Sequence, residues 1–553
     1  MDESNRKKMS KFYTTNTLTF KIENNVLIGE EIPIHKECTN VGALVLEKMR
    51  SRPEFVAQVE AVTGTETIFA EMTEKSVKCA LWLREQAVQP GDIIGICTHN
   101  HLESYVPLLA ALYVGAISNP WDNELSPTTA RYFLLLTRPK IVFVNAESAE
   151  CLAQTIIENN LNTKLVVFGK LAGFENASLA NILRSQDAAR IDEFECAKLT
   201  SPDHVATIVC SSGTSGLPKG TEISHASMIN YMAHVKIHDL RGHVSMWTPS
   251  MRWYCGLFIV IKAILDCSKR VIVPDYEDTE EICHFIEKYE VSWFRCDSCF
   301  PIRLVKFGIL SKYRLPTLKI LLFGGAHFRG ELQQTLVKLL PHTNVTLSYG
   351  MTDYGGLCAR QTRRSKPGSC GFVCETGRLK VVDPNTGKIL EANKTGEIWA
   401  KSSYMMNGYY NNYEATKNAI DSDGWLHTGD LGYYDDDGEI FLVDRMSEFI
   451  NYRAIKISPA EIEALIQQHP AVLEVAVVAV PHAIEEEHAM AFIAKVPGKE
   501  TTELDITNLV ELNMPWYCRL HAGVKFMQKL PRTATGKIAK KELKQIAKSY
   551  ATN

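Results

Sequence analysis

The chain has 553 residues, too many for one hydrophobic core, so at least two domains are expected. Hydrophobic residues make up 45% and charged residues 22%, with 60 basic against 64 acidic side chains and a formal net charge of −4. That mix excludes a disordered or fibrous chain and gives no electrostatic reason to expect nucleic acid or an anionic membrane as a partner.

At the start, MDESNRKKMSKFYTT lacks the apolar core of a secretory signal. Between about residues 40 and 340, amphipathic helical stretches alternate with short apolar runs: 92–98, 140–146, 164–170, 270–275 and 319–325. Several are apolar on both faces, which is how strands of a parallel sheet covered by helices on both sides read. Inside this region Ser211-Ser212-Gly213-Thr214-Ser215-Gly216-Leu217-Pro218-Lys219-Gly220 follows the apolar run VATIVC and precedes a helical stretch. Small residues let backbone N–H groups converge and hydroxyls add donors, so the loop suits an anion such as a polyphosphate. It is not a Walker loop, because Gly220 and not Ser or Thr follows Lys219.

The most apolar stretch, Tyr254 to Cys267, is too short to cross a bilayer and contains Lys262, so a buried helix is expected and no transmembrane segment. Just before it, Trp253 and Tyr254 stand where an aromatic gate or ordinary core packing would both fit, and Arg252 suits either a carboxylate or a surface ion pair. Cys296 and Cys299 form a CxxC in an apolar run; without a second tight pair, the 15 cysteines read as free thiols. The segment Ser348-Tyr349-Gly350-Met351-Thr352-Asp353 follows a β-rich run and ends in a hydroxyl and a carboxylate able to meet a metal.

From about 370 to 445 the pattern turns to short strands with Gly, Asn and Asp turns, suggesting an antiparallel sheet or small barrel. This region carries Gly396-Glu397-Ile398-Trp399, then Gly424-Trp425-Leu426-His427-Thr428-Gly429-Asp430, then Asp444-Arg445. After Arg445 the sequence restarts. The run 458–470 has a Ser cap, Pro at the first helical position and Glu three residues after the Ser; a strand over 472–481 and a helix over 503–514 follow. Near the end comes Pro531-Arg532-Thr533-Ala534-Thr535-Gly536-Lys537. The expected fold class is α/β: a large N-terminal domain (1–445) of helix-covered, mainly parallel sheets with a small β-barrel-like subdomain, then a small mobile α+β C-terminal domain (446–553).

SSGTSGLPKG, YGMTD, GWLHTGD, VDR and PRTATGK in that order resemble the adenylate-forming superfamily of acyl-CoA synthetases, firefly-type luciferases and peptide-synthetase adenylation domains, over roughly residues 45 to 545. The insect luciferase and 4-coumarate–CoA ligase branch is the nearest likeness. The resemblance implies ATP- and Mg2+-dependent activation of a fatty or aryl acid as its acyl-adenylate, followed by thioester formation with coenzyme A; the alternatives are luciferase-like oxidation or other transfer of the adenylate without coenzyme A, and a catalytically weakened relative that binds ATP or acyl groups. It implies that Ser211 to Lys219 hold the β- and γ-phosphates, that Thr352 touches the α-phosphate, and that Asp353 helps place the metal. Gly324-Gly325-Ala326 and Ser348-Tyr349-Gly350 would flank adenine and acyl chain, and Asp430 would meet the ribose hydroxyls with Arg445 beside it. Lys537 would reach the cleft on a domain that turns about Arg445, Met446 and Ser447.

Three positions depart from that pattern. Asp353 replaces the usual Glu, so weaker activity is expected. Asn451 and Ala454 stand where relatives carry Lys and Gly. Loss of the thioester step and neutral drift in a tolerant loop are both open there, with Lys456 a nearby cation. The luciferase His pair is missing near Trp253 and Tyr254, against firefly-type light emission. The C-terminal Ala551-Thr552-Asn553 is not the S-K-L address, so a cytoplasmic protein is expected, with the peroxisome open. The sequence leaves the acid and the oligomeric state unspecified.

Overall fold

The computed structural model describes residues 11–15, 18–35, 37–174, 177–211, 218–273, 278–325, 328, 330–446, 448–453, 455–482, 485–533 and 537–550. Ile93–Cys97 lies near the middle of one sheet, with Ile141–Val144 and then Lys164–Val167 on one side, all parallel. On its other side come Ile117–Trp121 and Val205–Ser211, again parallel, before Lys219–Ser224 turns antiparallel. Every residue of Ile93–Cys97, Ile117–Trp121 and Ile141–Val144 is buried, as strands covered on both faces must be.

A second, larger sheet has a parallel centre running from Val56–Glu60 through Lys269–Ile272, Val244–Trp247, Trp293–Asp297 and Ile320–Gly324 to Asn344–Met351. The helix Tyr254–Leu265 covers part of it and is buried almost throughout. Lys262 survives in that helix because Asp266, one turn on, pairs with it at 2.5 Å.

The third sheet is antiparallel, as the turn-rich region 370–445 suggested. It joins Arg378–Val382, Gly396–Lys401, Leu426–Tyr434 and Ile440–Arg445 to strands from the N-terminus, Lys11–Thr15, Leu18–Glu23 and Val26–Gly29. The N-terminal contribution was not legible, because a pairing such as Arg378 with Ile28 links segments far apart in sequence.

After Arg445 a fourth sheet forms around the long hairpin of Val472–His482 and Glu486–Lys495. Ser458 caps the helix Pro459–Ile466 by accepting from the Glu461 amide, as its sequence predicts. The apolar residues of this part cluster among themselves, while one continuous core runs through the body of the chain from Leu18 to Ile440. The result is a large α/β body with a separate C-terminal domain. No described helix is long and apolar enough to cross a membrane.

Candidate active site

The site gathers where the parallel strands of the larger sheet end. Gly324 ends its strand paired with Ser348, and a Cβ on Gly324 would lie 2.4 Å from the Ser348 carbonyl oxygen, so only glycine allows this approach. Gly325 follows with φ +94°, a left-handed turn open to glycine. Thr352 and Asp353 then sit in the turn after the strand, closed by the Gly355 amide donating to the Thr352 carbonyl at 2.9 Å.

Asp353 is anchored by two hydroxyls. Thr221 Oγ1 donates to Oδ1 at 3.0 Å, and the Tyr409 hydroxyl donates to Oδ2 at 2.5 Å. Thr221 lies two residues beyond Lys219 on the strand that follows the candidate phosphate loop, and Tyr409 pairs with Thr221 in register. The Lys219 ammonium stands 4.6 Å from the centre of the Tyr409 ring. The base of the loop and the Asp353 carboxylate are thereby fixed to each other across two sheets. Each Asp353 oxygen keeps a free lone pair beyond its hydroxyl donor, and a hard carboxylate suits Mg2+. Ser211 pairs with Lys219, so the loop spans a hairpin; Ser212, Gly213, Thr214, Ser215 and Gly216 lie outside the described residues. So do Ala326, Ser447 and Ala454.

On the antiparallel sheet Asp430 and Arg445 occupy paired positions. The Arg445 Nε meets Asp430 Oδ1 at 2.9 Å, and the Tyr349 hydroxyl donates to Oδ2 at 2.8 Å. Asp430 is a buried carboxylate with both oxygens oriented. Burial works to lower the Arg445 pKa, but Asp430, Tyr349 and Glu448 outweigh it, so the guanidinium is held above its usual range.

Lys537 reaches this cluster from the other domain. Its pKa is lowered: burial and then the charge of Arg445 push it down against the fields of Asp430, Glu448 and Asp353. The arrangement is braced at the crossing between domains. Asp444 accepts from the Ser458 hydroxyl and from the Ala460 amide at 3.2 Å, and Lys306 donates to the Gln467 carbonyl at 3.0 Å; within the C-terminal domain Lys540 joins Glu448 at 2.7 Å to Glu463 at 2.8 Å.

Tyr254 begins the buried helix. Its ring lies 6.0 Å from Tyr231 and 5.7 Å from Phe258. Tyr231 packs against Gly356, where a Cβ would come within 2.1 Å of the ring, so this aromatic belt sits directly behind the Asp353 turn. Trp253 precedes the helix with the Arg252 guanidinium 5.4 Å from its ring centre. The surface ion pair considered for Arg252 is instead largely buried: it meets Asp122 at 2.6 Å with side-chain exposures of 12% and 26%. All the cysteines are free, and Cys299 faces Glu474 and Arg532 of the C-terminal domain. Sequence reasoning missed Thr221, Tyr409 and Glu448. Thr221 was accessible in principle, since alternation along a strand puts it on the same face as Lys219.

The chain matches the family model described as AMP-binding enzyme over residues 45–410, and that of the AMP-binding enzyme C-terminal domain over 461–537. It belongs to the AMP-binding enzyme family. Among curated AMP-binding relatives, 4-coumarate–CoA ligase 4 of Arabidopsis thaliana is 30% identical, covering 88% of this chain and 87% of that protein. Luciferin 4-monooxygenase of Photuris pensylvanica is 28% identical over 96% of this chain and 99% of its own. Among solved structures, the luciferase-like enzyme from the nonluminescent mealworm Zophobas morio aligns with a TM-score of 0.71 at 28% identity, over 76% of this chain and 99% of that one. The anthranilate CoA ligase AuaEII in complex with anthranoyl-AMP shares the fold at a TM-score of 0.83 and 22% identity, over 94% and 99% of the two chains. This AMP-binding enzyme is therefore an adenylate-forming protein with acyl-CoA ligases among its relatives.

Proposed function

We propose that the protein is an AMP-forming acid–thiol ligase that converts a fatty or aryl acid to its acyl-CoA. The observation that carries this reading is the cluster of Asp430, Arg445 and Tyr349 beside the Asp353 turn, with Lys537 of the C-terminal domain within electrostatic range of Asp430, Arg445 and Asp353. In the first step a carboxylate oxygen of the acid attacks the α-phosphorus of ATP, the bond to the β-phosphate oxygen breaks, and pyrophosphate leaves. Lys537 stabilises the charge that develops there, a contribution of about 3–4 kcal/mol for one well-placed donor. Ser211 to Lys219 hold the β- and γ-phosphates, with Thr352 at the α-phosphate. Gly325, Ala326, Ser348, Tyr349 and Gly350 line the adenine side, while Asp430, set by Tyr349 and Arg445, takes the ribose hydroxyls. Asp353 holds magnesium, which when bound neutralises phosphate charge. Trp253 and Tyr254 border the acyl chain.

In the second step the C-terminal domain, residues 446–553, turns about Met446 and Ser447. The thiol of coenzyme A loses its proton, its sulfur attacks the acyl carbon, and the carbon–oxygen bond to AMP breaks. A second reading keeps the adenylate but passes it to another acceptor, and Asn451 motivates it: the residue is exposed and its amide hydrogen-bonds Glu487 at 2.8 Å, so no cation stands at that position. Acids of graded length and aromaticity, with pyrophosphate and AMP release measured with and without coenzyme A, separate the two. Acid-dependent pyrophosphate release with AMP turnover only when coenzyme A is present supports the ligase; coenzyme-A-independent turnover supports the second reading. Background pyrophosphate exchange with every acid refutes both.

A further inference from the structure

Beneath the helix Tyr254–Leu265 the larger sheet buries two arginines, Arg270 and Arg295, with which no carboxylate among the described residues pairs. Arg270 stands opposite Gln58 on one side and Ser245 on the other, and Arg295 stands opposite Trp247. Paired residues and residues two apart share a face of a sheet, so Arg270, Trp247 and Arg295 project together. Arg270 is 4% exposed and Arg295 8%. Among the described residues, Nε and Nη2 of Arg270, Nε and Nη1 of Arg295 and Nε1 of Trp247 have no hydrogen-bond partner. All five are donors. The Arg270 guanidinium lies 4.2 Å from the centre of the Trp247 ring, a contact that engages its face and leaves its N–H edge unmet. Burial alone pushes its pKa down to about 9.

Another buried arginine of this core has a carboxylate: Arg360, 3% exposed, is paired with buried Glu375 at 2.9 Å, although its Nε is likewise unmet. A buried guanidinium without such a partner is costly, and an apolar side chain of similar volume would pack there without the penalty. Arg270 also borders a recess walled by Phe69, Met72, Val260 and Ile264 and edged by Gln58. That recess lies along the helix whose first residue, Tyr254, belongs to the aromatic belt behind Asp353. At 1.5 Å per residue, Val260 and Ile264 stand about 9–15 Å along the helix from Tyr254.

We propose that Arg270, with Trp247 and Arg295, receives an anionic group at the far end of the acid, so that the substrate is a dicarboxylic acid with an apolar segment between its two carboxylates. This rests on the adenylation reading and narrows its substrate class. One carboxylate reacts at the Lys537 end, the apolar segment lies against the helix, and the second carboxylate supplies acceptors to these buried donors, up to about four of them.

The test is ATP–pyrophosphate exchange with α,ω-dicarboxylic acids and monocarboxylic acids of equal carbon number, in the wild type and in Arg270→Met. The expected result is a preference for the diacid of roughly tenfold or more in kcat/KM, expressed in KM, for a hydrogen bond between charged groups. Arg270→Met loses that preference and melts no lower than the wild type, because it removes an unanswered buried charge. Should Arg270→Met not fold, Arg295→Met carries the same comparison. Equal use of mono- and diacids by the wild type overturns the inference while leaving the adenylation reading intact. So does stabilisation by chloride or acetate that depends on Arg270 without any diacid preference, which would make this a site for a free anion. Exchange with no acid at all overturns the adenylation reading, and this inference with it.

Discussion

Tyr349→Phe removes one oxygen atom from the wall of the proposed nucleotide site and keeps the ring. That oxygen donates to Asp430 Oδ2 at 2.8 Å, where the Asp430 side chain is 8% exposed, and Arg445 holds the other carboxylate oxygen at 2.9 Å. A hydrogen bond to a charged group contributes about 1.5–3 kcal/mol, and the bond exists before any ligand arrives, so the unfolding free energy should fall by about that amount. Asp430 then keeps a single anchor and must be ordered at the expense of nucleotide binding. A penalty of about 1.4 kcal/mol would raise the KM for ATP roughly tenfold with kcat little changed, since the ribose contact is the same in ground and transition states. Urea melts and pyrophosphate exchange at varied ATP measure the two effects, and a double-mutant cycle with Asp430→Asn isolates their coupling. If Tyr349→Phe unfolds like the wild type and its KM for ATP is unchanged, the reasoning about Asp430 fails.

Two further outcomes follow from the same cluster. The double substitution Thr221→Val with Tyr409→Phe strips both hydroxyls from Asp353, and loss of such supporting contacts weakens metal affinity about 10–100-fold. The Mg2+ concentration for half-maximal exchange should rise accordingly, and an unshifted Mg2+ titration would remove Asp353 from the metal site. Because burial and Arg445 hold Lys537 below the usual lysine range, its ammonium is lost as pH rises through that depressed pKa. The alkaline limb of kcat/KM should therefore fall below the range of an ordinary lysine and be absent in Lys537→Arg; a limb that persists in the arginine variant assigns it to another group.

The parallel strands were legible because burial on both faces writes a continuous apolar run, as in Ile93–Cys97 and Ile141–Val144. Helix starts such as Ser458-Pro459 were legible because capping is local chemistry. The addition of Leu18–Glu23 and Val26–Gly29 to the sheet of Arg378–Val382 was not, since long-range register leaves no local mark. The site followed the same division. Asp353, Asp430, Arg445 and Lys537 stand in sequence motifs, whereas Thr221, Tyr409 and Glu448 became visible only as contacts between segments. Arg270 and Arg295 look ordinary in sequence; only their burial without a paired carboxylate among the described residues singles them out.

The most direct measurement is pyrophosphate exchange by Lys537→Ala beside ATP binding by calorimetry, using an acid that the wild type activates. If Lys537 is the cation that meets the α-phosphate, as proposed, its removal should cut exchange by about a hundredfold or more while ATP affinity stays within a few-fold. Exchange at the wild-type rate would contradict the account, because the C-terminal domain would then bring nothing to the reaction that the body of the enzyme lacks.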